Sequence, residues 1–192
     1  TIQTLTGAMD CLVIGDPSDP KTDIGPIIDA EAKANLEKHM ERMKREAKVL
    51  KQIDVSHLGG NYFGPAVVEL ASLDQISREV FGPILHIVRY DPAEVAKIGA
   101  QLAAKGYGLT LGVHSRLESF AQEVIASAPA GNVYVNRTIV GAVVGVQPFG
   151  GSGLSGTGPK AGGPNYLPRF AEERAVSNNI AAQGGDPQLL NL

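Results

Sequence analysis

The sequence concentrates its most chemically suggestive residues in one glycine cluster. Nine of the 23 glycines fall between Gly141 and Gly163, and GSGLSG at 151–156 matches the glycine spacing of a dinucleotide-binding loop. That loop requires a helix directly after it, but TGPKAGGPNYLP follows here and predicts none. We therefore favour an irregular loop whose exposed backbone N–H groups could hold an anion such as a carboxylate. A purely structural turn between elements is the equally plausible alternative.

Glu79 is the second candidate, because it stands in EVFGP at the start of an apolar run. A charged residue at a strand end of an α/β fold often faces a ligand crevice. The alternative is an ordinary solvated carboxylate on the surface. The sequence around Glu79 leaves both interpretations open.

The cysteine and the histidines suggest structural roles. Cys11 is the only cysteine, which excludes an intramolecular disulfide framework and multi-cysteine metal sites. Its context, MDCLVIG, has no neighbouring histidine or cation to activate a thiolate, so we predict a buried, inert side chain. The histidines at 39, 57, 86 and 114 show no metal-ligand spacing. We predict no metal site in this sequence.

The elements that position these residues alternate between helices and strands. Apolar periodicity predicts a short opening helix and a long helix from the N-cap Asp29 to about Leu50. Strands are predicted at 65–70, 84–90, 109–115 and 132–137, with helices at 91–106 and 117–128. Such alternation indicates an α/β fold with a mostly parallel sheet covered by helices. A last strand is predicted at the sheet edge, over 174–183.

Composition narrows the class of protein further. The chain has 192 residues, 43% of them hydrophobic, and a formal net charge of −3, which gives no reason to expect nucleic acid or an anionic membrane as partner. No apolar run approaches the ~20 residues of a membrane span. We expect a soluble cytoplasmic protein. Because Thr1 lies inside a helical pattern, we also expect the chain to be a fragment.

Two segments resemble the aldehyde dehydrogenase family. REVFGPILHIVRY at 78–90 is similar to its Glu-x-Phe-Gly-Pro signature, and residues 131–170, with PFGG and GTGPKAGGP, are similar to the branch that oxidises glutamate-γ-semialdehyde (Δ1-pyrroline-5-carboxylate). TDIGPIIDAEAK and GYGLTLGVHSR fit the same family. In bacteria this branch is found in bifunctional proline-utilization proteins. The resemblance extends from Thr1 to about residue 185.

The resemblance implies an NAD-dependent enzyme and assigns roles by position. Glu79 would accept hydrogen bonds from the hydroxyls of the nicotinamide-side ribose, and Phe81 would pack near the nicotinamide. Gly162 and Gly163 would offer N–H groups to the substrate α-carboxylate, and Phe149 would line the aldehyde channel. Further residues would shape the site without touching substrate: Asn136, Gly150 and Gly151. FAD would be involved only if a proline dehydrogenase domain were attached.

The family's nucleophile, general base and coenzyme domain precede the pattern that begins at Thr1, and Cys11 lies outside the nucleophile motif. We therefore expect residues 1–173 to be a partial catalytic domain without its catalytic residues and inactive alone. Residues 174–192 would be an oligomerisation strand and tail in a homo-oligomer. A non-catalytic binding or assembly module with the same fold is the alternative. Nucleotide binding at GSGLSG is a third hypothesis that the missing helix disfavours.

Overall fold

A computed structural model describes residues 1–143, 145–156, 158–179, 182 and 188. Helices and strands alternate along most of this range. The helices are α1 (Ile2–Met9), α2 (Ala30–Glu46), α3 (Val95–Ala104) and α4 (Glu118–Ser127). The strands are β1 (Lys48–Gln52), β2 (Ala66–Leu70), β3 (Ile84–Val88), β4 (Tyr107–Gly108), β5 (Thr110–Val113), β6 (Asn132–Val135) and β7 (Ser152–Gly153).

Helix α2 begins as predicted but ends earlier. The Asp29 carboxylate caps it by accepting a hydrogen bond from the Ala32 amide at 2.7 Å. The predicted continuation to Leu50 is wrong, because the helix ends at Glu46 and β1 follows. Strand β1 pairs antiparallel with β2, so hydrogen bonding across the sheet replaces the helical turn that periodicity alone predicted.

The main core lies between α2 and the sheet β1-β2-β3, in which β2 and β3 run parallel. One face of α2 is fully buried there, since Met43 is 0% and Met40 2% exposed. The buried partners on the sheet side are Phe63, Ala66, Val68 and Leu70. Burial on both faces explains why four of the five residues of β2 are apolar and buried, the exception being Glu69.

Strands β5 and β6 form a second parallel pair, with Thr110 opposite Asn132. They correspond to the last two strands of the predicted alternation of strands and helices. Helices α3 and α4 connect the strands, and Asp91 caps the 3₁₀ turn Pro92–Glu94 that leads into α3. Strand β4 pairs antiparallel with β7, inside the glycine cluster. Among the described residues, no ladder joins β5-β6 to the first sheet, although the sequence predicted one sheet.

The predicted C-terminal strand is only partly described. Residues 174–179 lie outside any helix or strand, and 180, 181 and 183 fall outside the described residues. Its proposed role in oligomerisation stays a prediction. No described helix is long and apolar enough to cross a membrane.

Candidate functional site

The loop that carries Glu79 and Phe81 forms one wall of an open cavity of about 740 Å³. Helix α2 forms the facing wall through Asn35, Leu36 and His39. The loop is fixed to that helix at Gly82, where any Cβ would collide with the methyl groups of Leu36. This packing places Glu79 and Phe81 at the cavity rim.

Both rim residues are free to meet a ligand. Phe81 is 86% exposed, which is unusual for so large an apolar side chain. Within the described part of the chain, the Glu79 carboxylate forms no hydrogen bond or ion pair with another residue. An acceptor-only carboxylate next to an open aromatic face is suited to a ligand that has hydroxyl donors and a flat ring.

A smaller cavity, of about 420 Å³, links this loop to the glycine cluster. Glu79 lines it from one side, and Tyr107, Gly108 and Ser155 line it from the other. The Ser155 hydroxyl accepts a hydrogen bond from the Gly108 amide at 3.1 Å, which ties β4 to the turn after β7. The fold thus brings Glu79 and Ser155, which belongs to the GSGLSG segment of the glycine cluster, to one cavity.

Some glycines of the cluster are required for packing. A Cβ on Gly151 would collide with the Ser155 carbonyl, and one on Gly156 with the Gly151 carbonyl. Gly153 has φ +59° and faces the Gly106 carbonyl. These glycines make GSGLSG a tightly packed segment that contains β7 and the turn after it, and no α-helix follows Gly156 in the described residues. The structural alternative therefore describes this segment, and the helix that a dinucleotide-binding loop requires is not among the described elements.

Other glycines of the cluster are open instead. Gly141, Gly145 and Gly162 have φ of +69°, +78° and +73°, and a Cβ on each would meet nothing within 4 Å. Such positions leave the backbone accessible to a ligand. The cluster therefore contains both the structural turn and the exposed loop that the sequence left as alternatives.

Phe149 and the glycine pair at 162–163 lie next to one another. Phe149 and Ala161 exchange backbone hydrogen bonds of 3.1 and 3.0 Å. The Gly163 amide already donates to the Lys160 carbonyl at 2.9 Å. Of the two predicted carboxylate donors, Gly163 is thus engaged within its own loop, whereas Gly162 lies exposed beside it.

Two other residues singled out in the sequence, Asn136 and Cys11, lie outside the linings of these two cavities. The Asn136 side chain accepts from the Ser115 amide and donates to the Ser115 carbonyl, both at 2.9 Å, and its φ is +54°. Cys11 is exposed, so the prediction of a buried cysteine is wrong. It follows the end of α1, where the chain turns outward. The described residues hold no group of three or more potential metal ligands.

Sequence reasoning missed the pairing of His39 and His86. Their Nε2 atoms lie 2.9 Å apart and join α2 to β3 beneath the larger cavity. Burial lowers the pKa of His86 to about 4, and the charges of His39 and Arg42 add to the shift. The pKa of His39 is also lowered, by burial and by Arg42 and Arg78. The apolar periodicity of α2 and of β3 places each histidine on the partly buried face of its element. Only the tertiary fold brings the two side chains together.

The histidine pair predicts a loss of stability at low pH. Between pH 6.5 and about 4 the unfolded chain binds a proton that folded His86 does not, so stability falls as pH falls. We expect His86→Gln to flatten the decrease in urea midpoint between pH 7 and pH 5. His57→Gln, at an exposed loop position, is the control and should keep the wild-type slope. An unchanged slope in His86→Gln would refute the assignment.

Proteins with similar sequences align with most of this chain. Bifunctional protein PutA of Klebsiella aerogenes is 48% identical over 201 residues, or 98% of this chain and 15% of that protein. The 1-pyrroline-5-carboxylate dehydrogenase of Geobacillus sp. is 35% identical over 86% of this chain and 32% of its own length. The chain thus spans about a seventh of the first relative and a third of the second.

Solved structures agree with the fold. A variant of proline utilization A from Bradyrhizobium japonicum superposes with a TM-score of 0.86 at 51% identity, covering 94% of this chain and 18% of that one. The Thermus 1-pyrroline-5-carboxylate dehydrogenase with bound NAD superposes with a TM-score of 0.78 at 34% sequence identity. The match covers 91% of this chain and 34% of that one. The predicted α/β class is confirmed. The model of the aldehyde dehydrogenase family matches residues 1–176, and the chain belongs to that family.

Proposed function

We propose that this chain contributes cofactor-binding and substrate-binding walls to an NAD-dependent dehydrogenase that oxidises glutamate-γ-semialdehyde to glutamate. The observation that carries the proposal is the position of Glu79, which borders one cavity together with Phe81 and a second cavity together with Ser155 of the glycine cluster. Relatives named for proline utilization and for 1-pyrroline-5-carboxylate dehydrogenase support the substrate class.

The cavity beside α2 fits the nicotinamide end of NAD. In this proposal the unpartnered Glu79 carboxylate accepts hydrogen bonds from the two ribose hydroxyls, and exposed Phe81 packs against the nicotinamide ring. When bound, NAD⁺ supplies the hydride acceptor for aldehyde oxidation. Gly82 packs against the Leu36 side chain of α2, so both side chains extend toward the ligand from a loop that rests on the core.

The open glycines fit the substrate α-carboxylate. In this proposal the Gly162 amide donates to it, since the Gly163 amide is engaged with Lys160. Gly163 then serves the loop by that hydrogen bond rather than by direct contact. The Phe149 side chain lines the aldehyde channel next to this loop. Gly141 and Gly145 are open in the same way and are the competing positions for the carboxylate.

Catalysis by a thiolate requires a nucleophile other than Cys11. Cys11 is exposed after α1 and lines neither of the two cavities that Glu79 borders. We therefore propose that this chain on its own does not oxidise the semialdehyde. The expected result is no NADH formation from the isolated chain, measured by absorbance, and activity from the product of the complete reading frame. Activity of the isolated chain that Cys11→Ser abolishes would overturn this part of the proposal.

Oligomer formation and a cytoplasmic location also belong to the proposal. Residues 174–179 lie outside the three described sheets and are exposed, as expected of a segment that pairs with another subunit. A non-catalytic assembly module would form the same contacts. The two functions separate on activity, because only the enzyme should require Glu79 and Gly162.

Replacing Glu79 tests the cofactor wall. Hydrogen bonds to a charged acceptor contribute about 1.5–3 kcal/mol, so Glu79→Gln in the complete protein should raise KM for NAD⁺ about 10- to 100-fold. KM for the aldehyde should change little. Glu94→Gln, which alters an exposed carboxylate paired with Lys97, is the matched control. Equal KM values for NAD⁺ in both variants would remove Glu79 from the cofactor site.

Replacing Gly162 tests the carboxylate contact. A valine there strains the left-handed backbone and displaces the amide, so we expect KM for the semialdehyde to rise about tenfold. Oxidation of an aliphatic aldehyde without a carboxylate should be unaffected. Gly60→Val is the matched control, since Gly60 has φ +76° and equally open space but lies away from the site. A selective rise in Gly141→Val and not in Gly162→Val would move the contact to Gly141.

A further inference from the structure

Asn132, at the start of β6, holds the backbone on both sides of Phe149. Its side-chain amide donates to the Pro148 carbonyl at 2.9 Å, and its side-chain oxygen accepts from the Gly150 amide at 3.0 Å. The side chain is partly buried. The single side-chain amide of Asn132 therefore satisfies both the Pro148 carbonyl and the Gly150 N–H.

Lys160 holds the same segment from the other side. Its ammonium donates to the Gly150 carbonyl at 2.6 Å, so both polar groups of the Gly150 backbone are bound by side chains. Lys160 directly precedes Ala161, whose backbone pairs with Phe149. The Lys160 ammonium therefore binds the protein's own backbone. A lysine next to the proposed carboxylate loop could instead have contacted the ligand directly.

The support beneath these contacts is rigid. A Cβ on Gly131 would collide with the Gly150 carbonyl, so the chain before Asn132 and the chain after Phe149 pack backbone against backbone. Asn132 itself is fixed by its amide, which donates to the Leu109 carbonyl at 3.1 Å. A side chain anchored on a strand can therefore set the position of the loop.

We propose that Asn132 and Lys160 are positioning residues for substrate, a pair that fixes Phe149 and Gly162 relative to each other. The inference rests on the proposed function, because it assigns the pair to the carboxylate loop of that site. Neither side chain contacts the substrate. Each acts through the backbone of Gly150, and the loop is already shaped for the carboxylate before substrate arrives.

Kinetics of the complete protein test the proposal. Asn132→Leu removes two hydrogen bonds and Lys160→Met removes one, with little change in side-chain size. We expect each to raise KM for glutamate-γ-semialdehyde at least about tenfold, because each lost hydrogen bond is worth about 1.5 kcal/mol, and to change kcat by less than about twofold. An aliphatic aldehyde without a carboxylate should be oxidised as by wild type.

Conservative and control variants separate positioning from general stability. Lys160→Arg keeps a cationic donor and should restore KM to within about threefold of wild type. Lys44→Met, which alters an exposed lysine on α2, should leave all parameters unchanged. Amide hydrogen exchange of this chain gives a readout independent of activity. The Gly150 amide should exchange faster in Asn132→Leu while the amides of α2 keep their protection.

The outcomes are distinct. If Asn132→Leu and Lys160→Met impaired oxidation of both aldehydes equally, the two residues would have only a structural role and the proposal would be overturned. Unchanged KM values in both variants would overturn it as well, while wild-type oxidation of the semialdehyde would leave the proposed function standing. If the wild-type complete protein does not oxidise the semialdehyde, the proposed function fails, and the positioning role fails with it.

Discussion

The arrangement of this site depends on the close approach of two backbone segments at Gly131 and Gly150, where a Cβ on Gly131 would collide with the Gly150 carbonyl. Gly131 ends the connection from α4 and leads into β6, and Gly150 follows Phe149 in the glycine cluster. Because β6 belongs to a parallel pair with β5, the contact ties an irregular loop to regular structure. The bridge between Phe149 and Ala161 then extends that support to Gly162.

The other half of the site is supported differently, by side chains packed between a helix and a sheet. Leu36 and Met40 bury one face of α2 against the sheet, and Gly82 rests on Leu36 just after Phe81. A rigid base under an exposed rim explains how Phe81 can be 86% exposed next to a fully buried core. Glu79 borders both cavities and so connects the two halves.

Local sequence signals predicted the elements well and their ends less well. Asp29 and the apolar stripe of α2 were sufficient to place that helix, but its end depended on pairing between β1 and β2, which no local pattern encodes. Glu79 was identifiable from EVFGP. The histidine pair and the Asn132 contacts could not be predicted, because each joins residues far apart in the sequence. For the glycines, only tertiary contacts separate the packed positions, such as Gly151, from the open ones.

We propose that backbone amides of the open glycines recognise the α-carboxylate of the substrate. A crystal structure of the complete protein with the product L-glutamate tests it most directly. We expect the α-carboxylate to lie within hydrogen-bond distance of the Gly162 amide, about 2.7–3.2 Å, with Lys160 still bound to the Gly150 carbonyl. A carboxylate bound by the Lys160 ammonium, or bound away from all the open glycines, would contradict it.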